Sequence, residues 1–431
     1  MPESARRGAN YLRLIGLAAL IGIPAAFVAA VFLAFVNWLE RWLWTDLPGY
    51  LGASSPPWFL VLGLPVVGAC FVVAARMLLP GDGGHPPLGG LSMAPTPLKN
   101  GPGIALAAVG TLAFGAALGP EAPLIALGSV VGMTVAPLLK GNERAQSVVA
   151  TAGSFSAISA LFGGPLVAGI LLVEAGIGAG TQLIVALLPG LVAAAIGYLI
   201  FVGFGTWGGL HETSMTVPDL PLYQDVHVGD LLISIIVGIA AALVIAGVRW
   251  IGARVDGIHL RRGHLPVVLL GGGLVVGLLA LVARALGADS QDVLFSGQAA
   301  VPGLVAEQSL AIVIVLLVAK ALAYGVCLGC GFRGGPVFPA IFIGIALASI
   351  AELVFDMSPT LAVAVGTAAG MAAATRLLFA PLLFALLLVG TNGIDAIPAA
   401  VLASASAWVM TTVLRPGAMD ETTRPAAPPP G

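Results

Sequence analysis

The chain has 431 residues, 59% of them apolar and only 9% charged, against about 25% charged in a soluble domain. That composition excludes a soluble enzyme, which needs more charge to cover its surface, and a disordered chain, which is poor in apolar residues. The net charge of −2 offers no basic field for a nucleic acid, and a mean hydropathy of +1.05 leaves an all-α polytopic membrane protein.

Taken in order, residues 1–13 carry Arg6, Arg7 and Arg13 ahead of the first uncharged run, 14–39, and so predict a cytoplasmic N-terminus. At 26 residues this run is too long for a signal peptide and reads as a retained helix. Further runs without Asp, Glu, Lys or Arg cover 47–75, 100–120, 122–139, 145–173, 175–211, 231–248, 263–283, 334–351, 357–375, 377–394 and 396–414. Lys320 alone interrupts another, 308–332. Polar links remain near 80–102, 205–230 and 284–307. Arg254, Arg261 and Arg262 predict a cytoplasmic loop, and the Pro-rich end predicts a disordered cytoplasmic tail, 415–431. Prolines cut many runs, among them Pro120, Pro165, Pro336 and Pro381. Broken helices at membrane depth must face protein or a wet pathway, which points to a transporter or channel.

The breaks also repeat. Residues 119–128 and 335–344 both fit G-P-x-x-P-x-I-x-x-G, and PLVAGILLV at 165–173 matches PLLFALLLV at 381–389. Both pairs lie 216 residues apart, half the chain. This predicts a first membrane repeat over 14–205, a connecting loop over 206–230 and a second repeat over 231–414, with the site where matching breaks meet. Each G-P-x-x-P segment opens a helix, and two helix starts with free amides would hold an anion without Lys or Arg. Glu121 stands in the first break; the second has Val337. A carboxylate there could occupy the anion position and leave when protonated, making Glu121 a gate, whereas a simple helix-start acid is the plainer alternative.

At this point the motifs resemble those of the CLC family of chloride channels and chloride/proton exchangers. Gly119-Pro120-Glu121-Ala122-Pro123 resembles its G-[KR]-E-G-P motif, which carries the gating glutamate. The stretch from Leu139 to Glu174 is similar to the segment leading to its helical Glu, and Gly335 to Pro339 resembles its G-x-F-x-P motif. The likeness covers roughly residues 80–395. It implies a homodimer with one pore per subunit, inverted repeats, and anion binding around Gly119, Pro120, Ala122, Gly335, Val337 and Phe338. The family's G-S-G-I-P motif falls on Asp82-Gly83-Gly84-His85-Pro86, which adds Gly83 and Gly84 to that set but leaves Gly83 where the family has a coordinating Ser. Phe338 sits one place after the family's Phe, Pro120 replaces the Arg or Lys before the gate, and no Tyr follows Tyr324. Ala175 stands where the exchangers carry an internal proton-transfer Glu. These departures favour channel-like or weakly coupled flux of a small anion, most simply chloride, across a cytoplasmic membrane.

Other residues have plainer readings beside functional ones. Glu174 is a possible proton relay, or a structural acid at a helix end. Lys320 either counterbalances a buried acid or, as is expected, snorkels towards water. Arg333 and Arg376 either raise anion concentration at a pore mouth or bind loop carbonyls. Cys327-x-x-Cys330 lacks a second ligand pair for a metal and reads as inert thiols. Asp82 and His85 read as an exposed turn. No cofactor or metal is expected, and the partners are a small inorganic anion, possibly protons, and the bilayer. A proton-coupled chloride or fluoride exchanger, a cation/proton antiporter and a non-transporting membrane scaffold are the alternatives; the antiporter would want an Asp pair that is absent.

Overall fold

The computed structural model describes residues 3–139, 142–176, 181–203, 215–262 and 264–414. The tail expected at 415–431 and most of the first half of the connecting loop lie outside the described residues.

Among the described residues, helices longer than ten residues come in two sets of seven. The first set is α1 (Glu3–Arg41), α2 (Trp58–Leu78), α3 (Gly101–Leu112), α4 (Glu121–Met133), α5 (Glu143–Phe162), α6 (Pro165–Ala175) and α7 (Thr181–Val202). The second is α8 (Val228–Arg262), α9 (Leu265–Ala285), α10 (Leu310–Cys330), α11 (Val337–Phe355), α12 (Pro359–Thr375), α13 (Phe379–Val389) and α14 (Ile397–Leu414). The starts of α4 and α11, α5 and α12, and α7 and α14 keep the 216-residue offset read from the motifs.

Equivalent helices run in opposite directions where they touch. Gly273 of α9 packs on Pro65 of α2, and Gly277 on Val61 and Leu62, an antiparallel crossing that small residues make close. Within each half the same device recurs: Gly128 of α4 lies on Gly153 of α5, and its equivalent Gly344 of α11 on Gly366 and Gly370 of α12.

Nine helical stretches among the described residues are long and apolar enough to cross a membrane, fewer than the uncharged runs. An uncharged run marks burial rather than length. The run 122–139 holds α4, whose 13 residues rise about 20 Å, short of a hydrocarbon core of about 30 Å. The helices α6 and α13, which begin inside the runs 145–173 and 377–394, likewise have only 11 residues each. A second correction concerns Arg254, Arg261 and Arg262. They do not form a loop but lie in the last turns of α8.

Candidate functional site

Two chain segments of identical type meet at the centre. Gly119 and Gly335 exchange backbone hydrogen bonds, 2.8 Å from Gly119 N–H and 2.6 Å from Gly335 N–H. The pair is antiparallel, so the two repeats face each other across a local two-fold axis. Pro120 and Pro336 follow in nearly the same conformation, φ/ψ −80/−5 and −93/−5, and α4 and α11 start at the next residue in each case. Proline fits here because a helix's first residues have no intrahelical use for an N–H. Two helix N-termini are thereby aimed into one place.

That place is filled by the Glu121 carboxylate. The side chain is fully buried, and the Phe338 N–H donates to Oε1 at 3.0 Å. Oε2 has no hydrogen-bond partner among the described residues. A Cβ on Gly119 or Gly335 would overlap the carboxylate, so glycine at both positions is what admits it. Phe162 and Phe384 wall the site, their ring centroids 4.6 Å apart, and Phe338 packs 5.7 Å from Phe162.

A cavity of about 920 Å³ opens onto this site, lined there by Pro120, Phe338 and Ile341. Its other walls carry Asn37, Glu40, Asp289 and Asp292. The described part of the connecting loop folds back to close one side, where the Val217 N–H donates to Leu388 O at 2.8 Å. Burial, and next the neighbouring charge of Asp289, raises the Asp292 carboxyl to about 6, against the opposing pull of Lys320.

Known proteins resemble this chain in sequence and in fold. The model of a family described as "Voltage gated chloride channel" matches residues 85–411. The "Putative ion-transport protein YfeO" of Escherichia coli is 31% identical over 351 residues, 79% of each chain. The chain belongs to the CLC family. Among solved structures, a slow cyanobacterial Cl−/H+ antiporter superposes with a TM-score of 0.75 at 19% identity, over 94% of this chain and 95% of that one. A CLC-type fluoride/proton antiporter gives 0.71 at 21%, over 93% and 96%. At such identities both show the CLC fold alone.

Of the residues singled out in the sequence, Gly119, Pro120, Glu121, Gly335, Val337 and Phe338 converge, with Ala122 in the first turn of α4. Gly83 and Gly84 have α3 as their neighbour instead. A Cβ on Gly83 would meet Ala107, Arg76 and Arg333, and one on Gly84 would meet Ile104.

Glu174 accepts from the N–H groups of Leu378, Phe379 and Ala380 at 3.0, 2.9 and 2.6 Å, and so caps the start of α13. Lys320 corrects its expectation outright. It does not snorkel but is fully buried, its Nζ donating to the carbonyls of Val293, Leu294 and Phe295 at 3.1, 2.7 and 3.1 Å. Leu294 and Phe295 line the vestibule, and satisfying three carbonyls is worth more than reaching water.

Asp82 is exposed in a turn, as expected, with His85 exposed just after it. The Asp82 carboxylate is held there by Arg76, at 2.8 Å, and by the buried Arg333. Arg333 therefore binds this acid and the Asp82 carbonyl, while Arg376 donates to Thr411 O at 3.4 Å.

Glu40 and the 215–218 segment were missed as vestibule walls. The signal for Glu40 was faint: an acid just beyond the first apolar run. Nothing in the sequence announces that 215–218 returns.

Proposed function

We propose that this CLC protein carries a small inorganic anion, with chloride the first choice, through one pathway per subunit of a homodimer in the cytoplasmic membrane. The anion position is the one the Glu121 carboxylate fills, between the starts of α4 and α11. Ionised, Glu121 occupies that position and closes the path. Protonated, it gives up the Phe338 amide, swings away and lets an anion take its place. The observation that carries this reading is the hydrogen bond from Phe338 N–H to Glu121 Oε1, which joins a side chain of one repeat to the helix start of the other.

Ala175 and the lack of a Tyr after Tyr324 support channel-like or weakly coupled flux. Proton exchange is the second reading. It is favoured by Glu40 and Asp292, which line the cavity leading to Glu121 and could deliver protons to it. The Arg residues early in α1 and late in α8 support a cytoplasmic N-terminus, with the vestibule on the opposite side.

The test is chloride efflux from proteoliposomes with external pH recorded together. Wild-type flux should rise as pH falls. Glu121→Gln, which mimics the protonated gate, should give flux that varies less than about twofold across the same range. An unchanged pH profile in Glu121→Gln would refute the gate, and no flux of chloride, nitrate or fluoride by the wild type would refute anion transport.

A further inference from the structure

Glu121 is reached along a stretch of chain that is not helical. From Ala113, just past α3, to Gly119, every second residue is gripped from another element. Trp44 Nε1 donates to Ala113 O at 3.0 Å, the Phe295 N–H donates to Gly115 O at 3.3 Å, and the Ala117 N–H donates to Cys327 Sγ at 3.3 Å. Gly119 then pairs with Gly335, and α4 starts two residues later. These grips decide where the carboxylate-bearing residue begins its helix.

All three lead back to α10. Cys327 belongs to that helix directly. The other two run through Phe295, whose ring meets Trp44 edge-on with centroids 5.2 Å apart and whose carbonyl accepts from Lys320 at 3.1 Å. Phe295 has φ 58°, a left-handed conformation that a bulky residue holds only when its surroundings impose it. Here its N–H is committed to Gly115 and its C=O to Lys320.

Lys320 does more than fill α10. A methionine would occupy the same space without taking a charge out of water. The ammonium enters no ion pair among the described residues; its three donors go to three successive carbonyls, so it is fixed and has no proton free to pass on. It also lies 4.9 Å from the centre of the Phe342 ring, which it attracts. Phe342 is one helical turn beyond Phe338, whose amide holds Glu121. Gly297 leaves the room for this, since a Cβ there would press on Phe342 and on the Lys320 side chain.

We infer that Lys320 is a positioning residue for the Glu121 gate: its ammonium ties the 293–295 strap to α11, and through Phe295 the strap sets the 113–118 approach that places Glu121 against the Phe338 amide. The effect on flux rests on the gate reading given above, but the positioning itself can be measured without transport. The titratable groups around Lys320 are Asp292 and Cys327, and Tyr324 stands near Glu121.

The experiment compares Lys320→Met and Lys320→Gln, each alone and combined with Glu121→Gln, by the pH profile of chloride efflux and by amide hydrogen exchange of the purified protein. Lys320→Met leaves three carbonyls unpaired, so the strap and the approach should loosen and the Glu121 carboxylate should lose part of its hold on the Phe338 amide. Flux should then reach half its rise about one pH unit higher than in the wild type, a tenfold change in the balance between closed and open gate. In the Glu121→Gln background Lys320→Met should leave the flat profile flat. Exchange at 113–118 should quicken at least tenfold in Lys320→Met, with α5 unchanged. Lys320→Gln, which keeps two donors, should shift less in the same direction.

A lysine that only stabilises the fold would lower the melting temperature and leave the pH profile alone, and that result in a monodisperse Lys320→Met would overturn the inference. Faster exchange confined to 291–297, or a change of pH profile that persists without Glu121, would overturn it too. If Lys320→Met does not fold, Lys320→Gln decides, and a wild-type profile with wild-type exchange there would be fatal. Faster exchange at 113–118 in a protein whose wild type passes no anion would uphold the positioning and refute the transport reading instead.

Discussion

At the scale of single residues, the central carboxylate depends on what its neighbours lack. Gly335 has an ordinary backbone conformation, so it is chosen for space, not for φ: a Cβ there would overlap Glu121 Oε2. Gly335→Ala should therefore push the carboxylate off the Phe338 amide. The expected result is flux with a flattened pH profile, as in Glu121→Gln, and a loss of about 1–3 kcal/mol from overpacking. Gly271→Ala is the control, because a Cβ there meets nothing within 4 Å, and should change neither flux nor melting temperature. A Gly335→Ala protein with the wild-type pH profile would show that the carboxylate does not need this contact. The same reasoning explains why Lys320 misled. Read along the chain, a lone Lys in an apolar helix has water as its obvious partner. The true partners, three carbonyls at 293–295, lie in a different element, and only folding brings them to it.

At the scale of helices, the short ones are where sequence and structure agree best and where each needs help at its start. A helix that begins inside a protein has free amides, and the two repeats satisfy them with acids from elsewhere. Glu121 answers the start of α11, and Glu174, the last but one residue of α6, answers the start of α13. The first acid bonds one amide and leaves an oxygen unpartnered; the second bonds three with both oxygens. That difference separates a movable carboxylate from a fixed one. Glu174→Ala should cost about 1–2 kcal/mol, as lost helix caps do, read as a lower melting temperature, with the ratio of proton to chloride movement unchanged. Loss of proton movement with stability intact would make Glu174 a relay. The motif offset of 216 made the matching starts of α4 and α11, and the meeting of the two breaks, legible in advance, because Pro and Gly at a helix start act locally. Element length was less legible. Arg254 to Arg262 stayed helical because α8 continues past its apolar stretch, where charged residues are as good helix formers as apolar ones.

At the scale of the whole molecule, the vestibule that leads to Glu121 is acidic. It holds Glu40, Asp289 and Asp292. An acidic mouth lowers the local concentration of an anion and raises that of protons, and over a Debye length of about 10 Å at 0.1 M salt this reaches across the vestibule. Asp292 is the group to vary, because it lies between the spans and faces the cavity. Its carboxyl titrates near 6, raised by burial and then by Asp289, so it is ionised above that pH and neutral well below it. Asp292→Asn should therefore increase chloride flux a few-fold at pH 7.5 and low ionic strength. The gain should shrink as pH falls through 6, where the wild-type carboxyl is already protonated, and vanish near pH 5. It should shrink also when an impermeant organic salt brings ionic strength to 1 M, where screening acts within about 3 Å. A gain that persisted at pH 5, or at high salt, would assign the effect to altered shape and not to charge. If Asp292→Asn instead lowered flux at neutral pH while slowing proton movement, the vestibule acids would be serving the gate as proton donors, and the exchanger reading would gain over the channel.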